Sequence, residues 1–215
     1  MTTIYGKVFS LVEENPPISG CTTSETLMNG SDFSVVSLAL GEGTGISDTI
    51  YDIPRLWISF HGSLEVNGKS LPAGSLYAVP LSTPVSIQAG EDSVYEEIIL
   101  PQGTFMKNVI QDGEIKSLKD LIPSGKGKII NRDLVDSDTI MMAALSMDAG
   151  CALPAHAAPG EALITVLDGE GVMMYEGTDH PIHAGESFRM AKGGRHAVKA
   201  VTPFKMLLIL EKEKR

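Results

Sequence analysis

Short apolar runs separated by turn residues recur along almost the whole chain. Each run covers about four to eight residues and is followed by Gly, Pro, Asn or Asp, which is the pattern of β-strands joined by turns. Spacings of roughly eight to twelve residues between turns are typical of an antiparallel sandwich or barrel. Parallel strands would need longer helical connections than the sequence contains. The predicted strands cover residues 35–40, 56–60, 75–79, 94–100, 140–147, 162–167, 171–175, 187–190 and 204–210.

The strand pattern occurs twice. Residues 10–62 align onto 117–169 without a gap, at an offset of 107 positions, and after a four-residue insertion the offset becomes 111. A chain of 215 residues can form two cores of about 100 residues each. We therefore predict an internal duplication with two domains, residues 1–107 and 108–215, and we place the linker at 101–116.

Each copy opens with the signal of one short helix. Ser10 and Ser117 stand where a helix N-cap is expected, each with an acidic residue three positions later, and this pairing satisfies backbone N–H groups at a helix start. Pro16 and Pro123 end both patterns, because proline cannot continue a helix. The prediction is an all-β protein with two antiparallel barrels, each preceded by a short helix.

One hairpin differs between the copies. Asn67-Gly68 lies between two strand patterns and predicts a tight turn, since both residues accept a positive φ. The corresponding segment of the second copy, residues 176–180, carries the four extra residues. The sequence therefore predicts a longer loop there.

The charge of the chain argues against two classes of partner. The formal net charge is −10, which disfavours binding to nucleic acid or to an anionic membrane. Residues 1–107 hold four basic and twelve acidic side chains, giving −8 and leaving −2 for the rest. We interpret the acidic first half as a feature of solubility rather than as a binding surface.

The two cysteines indicate a reducing compartment. Cys21 and Cys151 do not occupy equivalent positions of the repeat, because Cys21 corresponds to Lys128. A disulfide within each copy is therefore not expected. No stretch approaches the roughly 20 apolar residues that a membrane helix needs. We expect a cytoplasmic location.

Two motifs of the second copy have a distinctive spacing. In the first motif Gly150 is followed after five residues by His156, and Gly169 closes it; in the second, Gly185 precedes His196. This spacing resembles the two motifs of the cupins, a family of small jelly-roll barrels. The resemblance implies a cupin barrel for the second copy and, through the repeat, for the first, so the chain resembles a two-cupin protein, or bicupin.

The sequence departs from the ligand set that the resemblance implies. Cupins with a catalytic metal commonly use two histidines and a glutamate from the first motif and one histidine from the second. This chain keeps His156 and His196 but has Ala158 and Ala162 at the other two positions. The four equivalent residues of the first copy are Thr49, Tyr51, Arg55 and Val85. None of these is a good ligand for a divalent cation, so no metal is expected in the first barrel.

A metal site in the second barrel is one hypothesis. His156 and His196 could hold a divalent transition metal (zinc, nickel, manganese or iron) together with Glu161 or His183. Glu161 lies one residue before the expected carboxylate, and a shift of one residue on a strand turns a side chain to the opposite face. His180 and His183 are spaced by three, which places them on opposite faces and favours surface positions for both.

The other hypothesis makes the same histidines polar groups of a pocket for a small organic molecule. A buried imidazole without a partner costs about 1–3 kcal/mol, so ligand or water is expected beside it. Methionines adapt to ligands, yet each could equally be core. The predicted pocket walls are Met147, Ile164, Met173, Phe188, Met190 and Met206.

Arg55 is a second candidate for ligand contact. An arginine directed into the first barrel could clamp a carboxylate or a phosphate. It could also pair with Asp48 or Asp52 at the mouth of that barrel.

Two functions remain open from the sequence. The chain binds a small organic molecule in the second barrel as a sensor, carrier or degenerate enzyme, or it is a metal-dependent isomerase, oxygenase or lyase. The missing ligands favour the first. The resemblance and an exposed strand edge also imply a homodimer.

Overall fold

Strands make up most of the chain. The computed structural model describes residues 5–104 and 109–212, and these form twenty strands, one α-helical turn and one 3-10 turn. Among these residues no helix is long and apolar enough to cross a membrane. The strands are β1 (Val8–Ser10), β2 (Thr22–Asn29), β3 (Ser34–Leu40), β4 (Gly45–Ile50), β5 (Arg55–His61), β6 (Ser63–Val66), β7 (Lys69–Pro72), β8 (Ser75–Val79), β9 (Pro84–Ala89), β10 (Ser93–Ile99), β11 (Ile115–Ser117), β12 (Ile129–Asp136), β13 (Ile140–Met147), β14 (Ala152–Ala157), β15 (Ala162–Asp168), β16 (Glu170–Tyr175), β17 (Thr178–His183), β18 (Glu186–Met190), β19 (Arg195–Ala200) and β20 (Phe204–Glu211).

The strands form two antiparallel jelly-roll barrels of the same topology. One barrel has a six-stranded sheet in the order β11-β8-β5-β10-β3-β2 and a four-stranded sheet in the order β4-β9-β6-β7. The other has β1-β18-β15-β20-β13-β12 and β14-β19-β16-β17. Each strand of the first order is replaced in the second by its counterpart in the repeat. The predicted fold class is therefore confirmed.

The short helices are present in different forms. The first is the α-helical turn α1 (Leu11–Glu14), and its counterpart is the 3-10 turn Leu118–Asp120. Leu11 and Leu118 are both buried. The two turns occupy equivalent positions, at the offset of 107 residues.

The boundary between the compact units differs from the predicted 107/108 division. Residues Leu11–Ser117 form one unit, here called the N-terminal barrel, and the described residues up to Ser10 and from Leu118 onward form the C-terminal barrel. The reason is that β1 pairs with β18 and β11 pairs with β8. Each three-residue strand thus joins the barrel formed by the other copy. The pattern of apolar residues does not predict which barrel such a short strand joins.

The predicted linker at 101–116 is only partly irregular. Its end forms β11, and Ile110 is 6% exposed. Residues 105–108 of the predicted linker lie outside the described residues.

Alternation along the strands fills each barrel with apolar side chains. In β15, Ala162, Ile164 and Val166 belong to the interior cluster of the C-terminal barrel, and Leu163 and Thr165 face the other way, as the period of two requires. The interior cluster of the N-terminal barrel contains three large aromatic side chains, which are Trp57, Tyr77 and Tyr95.

The extra residues of the second copy lengthen a hairpin instead of its loop. Asn67 and Gly68 have φ of 49° and 72°, and Glu176 and Gly177 have φ of 49° and 81°, so both loops are two-residue turns of the kind that needs positive φ. The strands β16 and β17 have six residues each, whereas β6 and β7 have four each. The predicted longer loop is wrong, because two extra residues on each side continue the ladder.

Candidate functional site

Three polar side chains lie in one row across the four-stranded sheet of the C-terminal barrel. His156 on β14 lies directly opposite His196 on β19, which lies directly opposite Tyr175 on β16. Directly opposite residues point to the same face of a sheet. That face is the interior one, since Val198 and Met173, two residues away along β19 and β16, belong to the interior cluster. We call these three residues the histidine–tyrosine row.

A bulge in β14 brings His156 to this face. Leu153 lies opposite Val198 and His156 lies opposite His196, so three steps along β14 match two steps along β19. The extra residue lets Leu153 and His156 point to the same side despite their odd spacing. Leu153 packs against the interior cluster, while His156 is exposed and His196 is 7% exposed. The histidine pair therefore runs from a buried ring to an exposed one.

Backbone carbonyls fix the tautomers of both histidines. The Nδ1 atom of His156 lies 2.9 Å from the carbonyl oxygen of Pro154, and the Nδ1 atom of His196 lies 3.2 Å from that of Gly194. A carbonyl can only accept, so each Nδ1 donates, and in a neutral imidazole Nε2 then carries the lone pair. The ring centroids are 4.2 Å apart. The pair thus offers two hydrogen-bond acceptors, or two metal-ligating nitrogens, within the span of one small molecule.

Burial lowers the pKa of His196 below its usual value of 6.5. The hydrogen bond to the Gly194 carbonyl raises that pKa by less, and a charge on His156 lowers it further. At neutral pH His196 is accordingly uncharged, which preserves the lone pair on Nε2.

The donor set does not fit a complete metal site. Among the described residues no group of three or more His, Cys, Asp or Glu side chains is placed to hold a metal ion. Ala158 and Ala162, at the two remaining positions of the motif, are 3% and 1% exposed. A catalytic zinc site keeps three protein ligands, so His156 and His196 alone fall short of one.

Glu161 and His183, the two further donors considered from the sequence, lie elsewhere. Glu161 forms an ion pair with Arg189 and accepts a hydrogen bond of 3.0 Å from the hydroxyl of Tyr5. Arg189 alternates along β18 with the interior residue Phe188, so this pair is on the opposite face. His183 is exposed, and its Nδ1 lies 3.0 Å from Glu186.

The predicted surface position of His180 is wrong. This residue is half-buried, with its ring centroid 5.2 Å from that of Phe188, and it lies opposite Met173. The continued strand β17 puts His180 and Ile182 on the interior side and His183 on the other. The spacing of three residues correctly placed His180 and His183 on opposite faces of the strand. It could not show which of the two faces inward.

The predicted pocket walls form the packed floor beneath the row. All six side chains belong to the interior cluster and are at most 2% exposed. They are Met147, Ile164, Met173, Phe188, Met190 and Met206. They are packed core side chains, and of the ligand-binding residues predicted from the sequence only His156 is exposed.

Tyr175 is a member of the row that the sequence pattern did not reveal. Its ring centroid lies 5.6 Å from that of Phe188, and its hydroxyl accepts the N–H of Ala191 at 3.2 Å. The signal in the sequence was the four-residue insertion, which extends β16 to residue 175. We interpreted that insertion as loop, and so the residues beside it were not considered.

Arg55 of the N-terminal barrel is occupied by an internal pair, and neither Asp48 nor Asp52 is its partner. Its Nη1 lies 3.1 Å from Oε2 of Glu97, and its guanidinium carbon lies 3.8 Å from the ring centre of Tyr51. Nε1 of Trp57 donates to the same glutamate oxygen at 2.8 Å. Because Glu97 neutralises Arg55, a carboxylate or phosphate clamp is disfavoured there.

A cavity of about 720 Å³ adjoins Arg55 in the N-terminal barrel. Val79, Leu81 and Leu100 form part of its apolar wall, and Asp52 is among its charged lining residues. The paired arginine leaves this lining net negative, which again disfavours an anionic ligand.

The two jelly-roll barrels have the cupin fold. Residues 145–210 match the model of the Cupin domain family. This match covers the C-terminal barrel from the end of β13 to the end of β20. A comparison with curated proteins finds no match.

Solved structures resemble the whole chain. A Cupin 2 conserved barrel domain protein from Leptotrichia buccalis is 24% identical, with 99% of each chain covered and a TM-score of 0.85. A salicylate 1,2-dioxygenase from Pseudaminobacter salicylatoxidans is 11% identical over 98% of this chain and 85% of its own, with a TM-score of 0.68. Protein Ylba from E. coli is 15% identical over 100% and 95%, with a TM-score of 0.62. At these identities the likeness establishes the fold.

Proposed function

We propose that the chain is a two-cupin protein whose C-terminal barrel binds a small organic molecule without a resident metal ion. The observation that carries this proposal is the pair of imidazoles, each with its Nδ1 on a backbone carbonyl, in a barrel that has buried alanines, Ala158 and Ala162, at the other two ligand positions of the motif. Two adjacent acceptors at the exposed end of an apolar interior suit a ligand with hydrogen-bond donors. Apolar walls with a few convergent polar groups are the usual composition of a small-molecule site.

A metal-dependent isomerase, oxygenase or lyase is the second candidate function. It is favoured by the proximity of the two rings, whose Nε2 atoms could both ligate one divalent cation. The lack of a third donor among the described residues speaks against it. The homodimer and the cytoplasmic location stay predictions.

A ligand screen by thermal unfolding tests binding. A library of neutral and acidic organic compounds is tested on the wild type, and a ligand at 100 times its Kd should add about 2.7 kcal/mol to the free energy of unfolding. His156→Ala should abolish that gain, because it removes one acceptor from an exposed position. Thr49→Ala, at the equivalent position of the N-terminal barrel, is the matched control and should keep it.

One result with these variants would contradict binding in the C-terminal barrel. A compound that stabilises the wild type and His156→Ala equally, but loses its effect in Thr49→Ala, would place binding in the N-terminal barrel and contradict the proposal.

A further inference from the structure

The longer hairpin gives the C-terminal barrel a side chain that the N-terminal barrel lacks. Strand β6 ends at Val66, which corresponds to Met173 in the repeat, and β16 continues for two more residues to Tyr175. The extension therefore ends opposite His196. The insertion and the row of polar groups occur together, in one barrel only.

Close neighbours hold the Tyr175 ring in place. A Cβ atom added at Gly194 would come within 2.6 Å of the Tyr175 hydroxyl, and one added at Gly6 would come within 3.0 Å of the ring. Both glycines thus give the ring space that any larger residue would take. Gly194 also supplies the carbonyl bound to Nδ1 of His196, so the same short segment positions both side chains.

The Tyr175 hydroxyl has a proton available for a ligand. Its oxygen accepts the backbone N–H of Ala191 at 3.2 Å, which leaves the O–H free to donate. The hydrogen bonds among the described residues provide no acceptor for it. The row therefore presents one donor in register with the two acceptors of His156 and His196.

A ligand that matches this row needs two donors and one acceptor a few ångströms apart. Two adjacent hydroxyl groups meet that need, because each O–H can donate to one Nε2 while one of the oxygens accepts from the tyrosine. The row contains no acidic side chain and no lysine or arginine, so it has no fixed charge to pair with a charged ligand, and the matching ligand is neutral. Building on the binding function proposed above, we propose that Tyr175 is the third group of the site that contacts the ligand, after His156 and His196. The site then selects neutral compounds with two adjacent hydroxyls.

The test compares two probes on the full chain by the ¹⁵N resonances of the histidine rings. The probes are cis-1,2-cyclohexanediol and cyclohexanol, which differ by one hydroxyl. The diol should shift the resonances of both histidines and bind the wild type at least about 3-fold more tightly than cyclohexanol. Tyr175→Phe, which keeps the ring, should weaken diol binding about 3- to 10-fold.

Tyr77→Phe makes the same chemical change in the N-terminal barrel and should leave both affinities unaltered. Equal diol affinity in the wild type and Tyr175→Phe, with the histidine shifts retained, overturns the role of Tyr175 and leaves binding at the histidines standing. Equal affinity of the wild type for both alcohols overturns the diol preference without any variant. The library screen with His156→Ala tests separately whether any ligand binds at the histidines, which is the proposed function.

Discussion

Replacing Glu96 with leucine is expected to raise the free energy of unfolding by about 3 kcal/mol at pH 7. Glu96 is 0% exposed on β10, and neither carboxylate oxygen has a hydrogen-bond partner among the described residues. Burial raises its pKa from 4.5 to about 8. The folded state therefore keeps a proton that the unfolded chain releases, and the cost is about 1.4 kcal/mol per pH unit between these values.

The repeat shows that leucine fits this position. Glu96 corresponds to Leu207, and its cross-strand neighbour Ser37 corresponds to Ala144; both pairs occupy the same register. Leu207 and Ala144 are 1% and 0% exposed. The second copy thus fills the equivalent place with apolar side chains of suitable volume.

The raised pKa also predicts how the difference in the free energy of unfolding between the wild type and Glu96→Leu changes with pH. Because the folded pKa is raised, the wild type is most stable relative to Glu96→Leu below pH 4.5, and this part of its stability is lost as the pH rises to about 8. The difference in free energy between wild type and variant, from urea unfolding at several pH values, should therefore widen across that window. A constant difference from pH 4.5 to 8 would contradict a buried protonated carboxyl.

The adjacent Glu97 is the matched control. Glu97 accepts hydrogen bonds from Arg55 and Trp57, so Glu97→Leu leaves a nearly buried guanidinium and an indole N–H without an acceptor. We expect it to lower the free energy of unfolding by about 2–4 kcal/mol. Neighbouring glutamates on one strand should thus respond with opposite signs.

Replacing Gly169 with alanine should destabilise the protein by about 2–5 kcal/mol. Gly169 has φ of 79°, and an added Cβ atom would lie 1.9 Å from the carbonyl oxygen of Pro203. The left-handed conformation costs a side chain about 1–2 kcal/mol. Displacing a backbone carbonyl adds the cost of overpacking, about 1–3 kcal/mol. Urea unfolding of the variant measures the sum.

Gly185→Ala isolates the conformational part of that cost. Gly185 has φ of 86°, and an added Cβ atom would meet nothing within 4 Å. Its replacement should cost only about 1–2 kcal/mol. If both variants lost the same stability, the close approach of the Pro203 carbonyl would not be the reason that glycine is required at 169.

The spacing of apolar runs was enough to predict the fold class. Strands such as β8 and β13 are short, buried and bounded by turns, and their observed bounds equal the predicted ones. The duplication followed from the offset alone. The pairing of β1 with β18 and that of β11 with β8 join equivalent residues of the repeat, so the structure has the same duplication. What the pattern could not give is which barrel each edge strand joins, because a three-residue strand pairs through backbone groups that every sequence carries.

The more polar strands were also missed. Strands β4, β14 and β17 carry many exposed residues, so they lack the continuous apolar run that marked the others. The motif spacing located His156 and His196, because it follows the barrel's turns. It did not reveal Tyr175 or the inward position of His180, since both depend on how far a hairpin continues before it turns.

The metal content of protein purified without a histidine tag decides between the two candidate functions. With alanines at positions 158 and 162, we expect zinc, nickel, manganese and iron far below one equivalent per chain. One equivalent of any of these metals in the wild type, lost in His196→Ala, would contradict it.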